Sequence, residues 1–211
     1  MRTAEYPRPR HTIAHLSDTH LRHPADPLVR GVLDPRVSLS ELLAGLLLSG
    51  HRPEAILVTG DLSDDGTPES YRELRDLVDP IAAALGARLV WLNGNHDDRA
   101  TLRQEMLGGP ASDGPVNQAH WLGGLRLLCL DTTVPGSDYG QVAPESLDWL
   151  RGHLAEPAAE GTILALHHSP LPVVQDIAAT WELVGQTALA GVLRDTDVRC
   201  ILGGHFHQSS Y

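Results

Sequence analysis

Short apolar runs alternate with longer amphipathic stretches along this chain, and the alternation predicts strands and helices in turn. Thr12 to Leu16 reads as a first strand, and Val37 to Ser49 as a helix whose leucines face a sheet and whose Gly50 supplies the stop. Ala55 to Thr59 is a second strand. Pro68 to Leu85 carries Tyr71, Leu74, Leu77, Val78 and Ile81 at helical spacing, with a kink expected at Pro80 and an end at Gly86. Arg88 to Leu92 is a third strand, followed by a short helix near Arg99 to Met106. Ala119 to Leu122, Gly123-Gly124 and Leu125 to Leu130 have the form of a β-hairpin with a two-glycine turn. Pro144 to Leu154 reads as a helix, Thr162 to Leu166 as a strand, Trp181 to Leu193 as a helix and Val198 to Leu202 as a last strand. Strands alternating with helices imply an α/β fold with a mostly parallel arrangement, to which the hairpin adds an antiparallel component.

Composition changes this picture little. With 211 residues, 42% of them hydrophobic and 20% charged, the chain can bury one sizeable core, and no repeat or linker divides it. The net charge of −11 argues against nonspecific binding to nucleic acid or to a membrane surface, both anionic. Leu42 to Leu48, the longest apolar run, is far too short to span a bilayer and reads as part of a buried helix. Met1 to His11 holds three arginines and two prolines but nothing resembling a signal peptide, so a cytoplasmic location is expected. Cys129 and Cys200 lie in strand-like runs without Cys-x-x-Cys spacing and read as two buried thiols.

The candidate chemistry lies where the runs end. Asp18 and His20, Asp61, Asn95 and His96, His167, and His205 with His207 each follow a strand-like run. In an open α/β sheet the carboxyl ends of the strands lie along one edge, where ligands bind, so these scattered residues are expected to meet. Two carboxylates, one amide and five imidazoles exceed a four-coordinate zinc site but suit two transition-metal ions sharing a bridging carboxylate. Each motif alone is modest evidence, since a strand-end Asp often caps a turn and a loop His is often merely solvated. Gly94-Asn95-His96-Asp97 is stronger, because Asn is an uncommon ligand and glycine lets the backbone approach an ion. Gly204-His205-x-His207 sets two imidazoles at period-two spacing. Unrelated surface histidines do not explain all five motifs in this order.

The order Asp-x-His, Gly-Asp, Gly-Asn-His-Asp, His, Gly-His-x-His resembles the calcineurin-like metallophosphoesterases. Leu16-Ser17-Asp18-Thr19-His20, Thr59-Gly60-Asp61-Leu62, Gly94 to Arg99 and Ala165-Leu166-His167-His168 are similar to the bacterial class III cyclic nucleotide phosphodiesterases. The resemblance covers almost the whole chain and implies a single metallophosphoesterase domain over residues 1–211, an αββα sandwich with mixed sheets. It implies a first metal held by Asp18, His20, Asp61 and His207, and a second held by Asn95, His167 and His205 with Asp61 bridging. Iron with manganese, or two manganese ions, is the implied pair, and zinc also suits the donors. A metal-bridging hydroxide would then attack phosphorus, with the unligated His96 as the catalytic acid that protonates the departing oxygen. The implied substrate is a small phosphodiester, a 3′,5′-cyclic nucleotide such as cyclic AMP or cyclic GMP, opened to the 5′-monophosphate.

Around these residues, Asp64 or Asp97 is expected to orient a site histidine through its second nitrogen. His168 either contacts substrate or completes the loop before Pro170, the second being expected, and Asp131 is expected to be structural. His11, His15, His23, His51, His120 and His153 have no constellation around them and are expected to contribute no ligand. Chains of the resembling family continue past Gly-His-x-His, whereas this one stops at Tyr211, four residues beyond His207. That apparent C-terminal truncation predicts an exposed edge or apolar face, inviting instability or association as a homodimer. Two other readings stand beside the cyclic nucleotide phosphodiesterase: a metallophosphoesterase for another phosphodiester or a phosphomonoester, and a catalytically silent scaffold.

Overall fold

The structure, a computed structural model, describes residues 8–172 and 176–207. In chain order the elements are β1 (Ile13–Leu16), α1 (Pro35–Leu48), β2 (Ala55–Thr59), α2 (Pro68–Leu85), β3 (Arg88–Leu92), α3 (Arg99–Glu105), β4 (Gln118–Leu122) and β5 (Leu125–Leu130). They continue with β6 (Gly140–Gln141), α4 (Pro144–Leu154), β7 (Thr162–Leu166), β8 (Leu183–Val184), α5 (Gln186–Leu193) and β9 (Val198–Leu202), with a 3-10 turn over Asp176–Trp181.

Local chemistry sets these boundaries. Thr67 caps α2 by accepting from the Ser70 N–H, Pro68 begins it, and Gly86 ends it at φ +69°. The helix continues past Pro80. α1 starts two residues before the expected Val37, because the Asp34 side chain accepts from the Arg36 N–H and Pro35 fills the first position. Gly123-Gly124 joins β4 to β5 with Leu122 opposite Leu125, as the hairpin reading requires. The expected helix over Trp181 to Leu193 is corrected. Leu183–Val184 instead pairs in parallel with Gly140–Gln141, and Gly185, at φ +91°, separates that strand from α5.

Among the described residues β1, β2 and β3 form one parallel sheet, and β4, β5, β7 and β9 a mixed one. β2 is buried on both faces, with successive side chains pointing opposite ways. Ile56 and Val58 pack with Leu39, Leu43, Tyr71 and Leu74 beneath α1 and α2. Leu57 faces inward with Val90 and Leu92 against Leu127, Cys129 and Ala165 of the second sheet. Beyond it, Leu128, Leu130, Leu164 and Leu166 pack on Leu150, Leu189 and Val192 of α4 and α5. Helix, sheet, sheet and helix are therefore stacked in four layers, the αββα sandwich.

Two burial expectations fail. α1 is a half-buried surface helix: Leu39 and Leu43 face the core, while Leu42 and Leu48 are exposed. Cys200 is exposed, because β9 is an outer strand that pairs only with β7 among the described residues. No helix among the described residues is long and apolar enough to cross a membrane.

Candidate metal centre

β1, β2 and β3 run parallel, as do β5, β7 and β9, and the carboxyl ends of the two sets meet at one end of the sandwich. There the structure brings together Asp18, His20, Asp61, Asn95, His167, His205 and His207. Asp61 Oδ2 lies 3.5 Å from His20 Nε2 and 3.3 Å from His167 Nε2, facing both halves of the cluster. His207 Nε2 lies 3.3 Å from Asp18 Oδ1 and 3.1 Å from His20 Nε2. His167 Nε2 faces Asn95 Oδ1 at 3.1 Å. Imidazole nitrogens and carboxylate and amide oxygens converge here within hydrogen-bonding reach of one another. Asp18, His20 and His207 form one such group, and Asp18, Asp61 and His167 another. Imidazole, carboxylate and amide donors fit a pair of transition-metal ions.

The backbone is built around this convergence. Among the described residues seven non-glycine residues have positive φ, and five of them are Asp18, His20, Asp61, His205 and His207. Such left-handed conformations concentrate at functional sites, where surrounding packing holds them. The motif glycines permit close approach: a Cβ on Gly94 would collide with Asp61, and one on Gly204 with Ser17 and Asp18.

Outer hydrogen bonds select the ring nitrogens. His167 Nδ1 donates to the Thr59 carbonyl at 2.8 Å, which leaves Nε2 turned toward Asp61 and Asn95. His20 Nδ1 faces Asp64 Oδ1 at 3.2 Å, and Arg22 pairs with the other Asp64 oxygen. His205 Nε2 donates to the Trp181 carbonyl at 3.0 Å, which frees Nδ1. Of the two carboxylates expected to orient a histidine, Asp64 does so and Asp97 does not. Asp97 is surrounded instead by the backbone N–H groups of Leu62, Ser63 and Gly94 and by the Tyr71 hydroxyl, clamping the loops after β2 and β3 together. Burial and the nearby Asp61 charge push its pKa up to about 7 against those donors.

In the absence of bound cations, electrostatics divide the imidazoles: the Asp61 and Asp18 carboxylates raise His167 and His207, whereas burial lowers His20 and His205. Burial would raise the Asp61 pKa, but the adjacent His167 holds it well below the usual carboxylate range. For His167, burial is outweighed by the Asp61 carboxylate, and the pKa rises to about 9. This buried carboxylate thus demands a positive partner. Burial, reinforced by the His167 charge, lowers His205 to about 4, and burial also lowers His20. Both are held neutral, as ligation needs.

His96 stands at the rim, its ring edge-on to His20 at 4.8 Å and its Nδ1 3.2 Å from the Asp64 carbonyl. It lines the same cavity, of about 990 Å³, as Asp18, His20, Asp61, Asn95, His205 and His207. His168 is fully buried, packed at 4.5 Å behind the His205 ring, with Nδ1 2.8 Å from Thr132 Oγ1. Asp131 is structural as expected, binding Arg99 and the Val116 N–H. One expectation for the remaining histidines fails: His11 has a constellation, lying between Glu54 and Glu160 at the opposite end of the strands.

A profile of the family described as Calcineurin-like phosphoesterase matches residues 11–209. The chain belongs to this family. Within it, the phosphoesterase is 50% identical over 210 residues to a protein of Rhodococcus erythropolis named "Probable cyclic nucleotide phosphodiesterase", covering 100% of this chain and 69% of that one. It is 52% identical over 210 residues to a cAMP/cGMP dual specificity phosphodiesterase of Mycobacterium tuberculosis, covering 100% of this chain and 66% of that one. The chain thus spans about two-thirds of the length of these relatives. Its fold matches a dimetal phosphatase of Danio rerio with a TM-score of 0.69 at 15% identity, over 95% of this chain and 82% of the other. At that identity the likeness concerns the fold alone.

Proposed function

We propose that this chain is a binuclear-metal phosphodiesterase, one domain over residues 1–211, that hydrolyses 3′,5′-cyclic nucleotides to 5′-monophosphates. Asp18, His20, Asp61 and His207 would hold one ion, and Asn95, His167 and His205 the other, with Asp61 shared. The observation that carries this reading is the Asp61 carboxylate, buried and turned at once toward His20 and His167. The cyclic nucleotide assignment draws support from the two relatives at 50% and 52% identity. Iron with manganese is the preferred pair, with two manganese ions or zinc as the other matches to these donors.

Two bound cations supply Lewis acidity to the phosphoryl oxygens and lower the pKa of water. The chain's own residues position and protonate. His167, His20 and His205 are each fixed in tautomer by Thr59, Asp64 and Trp181, so the donors need little reorganisation. His96, held through Nδ1 by Asp64, leaves Nε2 free to give a proton to the 3′ oxygen as the P–O3′ bond breaks and a water oxygen bonds to phosphorus. The free thiols of Cys129 and Cys200 suit a cytoplasmic enzyme.

The test is to load the protein with manganese or iron and assay cyclic AMP, cyclic GMP, a linear diester and a monoester. The expected outcome is 5′-monophosphate from the cyclic substrates. Turnover of the monoester alone would assign the centre to phosphomonoester chemistry instead.

A further inference from the structure

The cavity over the metal centre has two unlike parts. Its floor is the carboxylate and imidazole cluster, while its lip is apolar: Val29 and Leu33 on the segment leading into α1, Leu42 in α1 itself, and Trp181 and Phe206 from the other sheet's loops. Leu33, Leu42 and Trp181 are exposed at 54%, 49% and 42%, a run of apolar surface continuous with the floor. Scattered exposed leucines need no explanation, but several around one polar floor describe an amphipathic ligand.

The lip also contains a backbone anomaly. Val29 to Leu33 closes a tight hairpin in which the Val32 and Leu33 N–H groups donate to the Val29 carbonyl, and the Val29 N–H donates to the Leu33 carbonyl. Its two tip residues, Arg30 and Gly31, have φ +51° and +70°, the pattern of a type I′ turn. Asn or Gly normally occupies the first tip position, and Arg gains nothing there conformationally. Of the seven left-handed non-glycine residues, six line this cavity, and Arg30 is the one without a part in the metal cluster. No ion pair or hydrogen bond engages its exposed guanidinium among the described residues.

We propose that Arg30, Leu33 and Trp181 form a subsite for the aromatic heterocycle of the substrate, the planar guanidinium and the indole stacking on the base while the phosphate rests on the metal floor. This rests on the phosphodiesterase reading and adds the specificity element that the metal ligands do not supply.

Calorimetric titration of manganese-loaded protein with 5′-AMP and, separately, with inorganic phosphate distinguishes the two parts of the cavity. Phosphate reports the floor, and 5′-AMP the floor and the lip. Arg30→Asn keeps a residue that tolerates the left-handed turn, so its melting temperature should hold, and it should weaken 5′-AMP about tenfold relative to phosphate. Trp181→Ala should do the same. Leu48→Ala, on the exposed face of α1 away from the cavity, should change neither ligand. Parallel weakening of both ligands, or no change in the Arg30 and Trp181 variants, would overturn the subsite. Selective weakening of 5′-AMP in the Arg30 and Trp181 variants, beside a wild type that fails to open cyclic AMP, would sink the reaction assigned above and leave the subsite standing.

Discussion

The two ends of the sandwich bring the same residue types together with opposite results. At the carboxyl ends of the strands, His20 Nε2 and His207 Nε2 face each other at 3.1 Å and Asp61 is shared between two histidines. At the amino ends, His11 has one carboxylate for each nitrogen, Glu54 at 3.1 Å and Glu160 at 2.7 Å, and Arg10 pairs with Glu160 as well. The first cluster is rich in acceptors that need a cation; the second is complete in itself and ties β1, β2 and β7 at their starts. Histidine beside carboxylate is therefore not a signature of chemistry. Imidazole facing imidazole and a left-handed backbone are what separate the candidate metal cluster from the clasp.

Asp61→Ala should break that contrast most severely. Elemental analysis should find both ions depleted and turnover at background, and full occupancy in the variant would remove Asp61 from the shared position. His96→Ala should keep both metals and lower turnover by about 10² to 10⁴. Unchanged kcat would remove it as the acid. Asp64→Asn, which weakens the hold on His20, should reduce metal affinity by about 10- to 100-fold, measured by competition with a chelator. An unaltered affinity would make Asp64 merely an anchor for Arg22.

The smallest effect belongs to the clasp. The hydrogen bond to Glu160 raises the His11 pKa, so this pair's stabilisation is fully present below the unfolded histidine value of 6.5 and fades as pH rises through the folded one. Glu160 is depressed chiefly by the same bond, so the contribution also fades at the acid end, as pH falls below the glutamate value of 4.5 and through the folded one. His11→Gln should flatten the pH dependence of the melting temperature above pH 6, by roughly a few degrees at most. A variant whose melting profile parallels the wild type would show the clasp to be inert.

Much of this was legible because its determinants are local. Thr67-Pro68 marks the start of α2, and each ligand type follows an apolar run by one to a few positions. Elsewhere the missing information was tertiary. Leu183–Val184 looks helical until it meets Gly140–Gln141, and the exposure of Cys200 depends on β9 lying at a sheet edge. Sequence also leaves Asp64 and Asp97 equivalent. Only the fold turns one toward His20 and the other onto three backbone N–H groups. The Trp181 carbonyl that orients His205 carries no side-chain signal at all.

The five left-handed residues among the proposed ligands have a thermodynamic corollary. At about 1 kcal/mol apiece, they set roughly 5 kcal/mol against a folding free energy that is itself only about 5–15 kcal/mol. Glycine at Asp18 or His207 would relax the chain while deleting a proposed ligand, so random mutagenesis selected on thermostability alone should drift toward a sturdier, metal-blind protein.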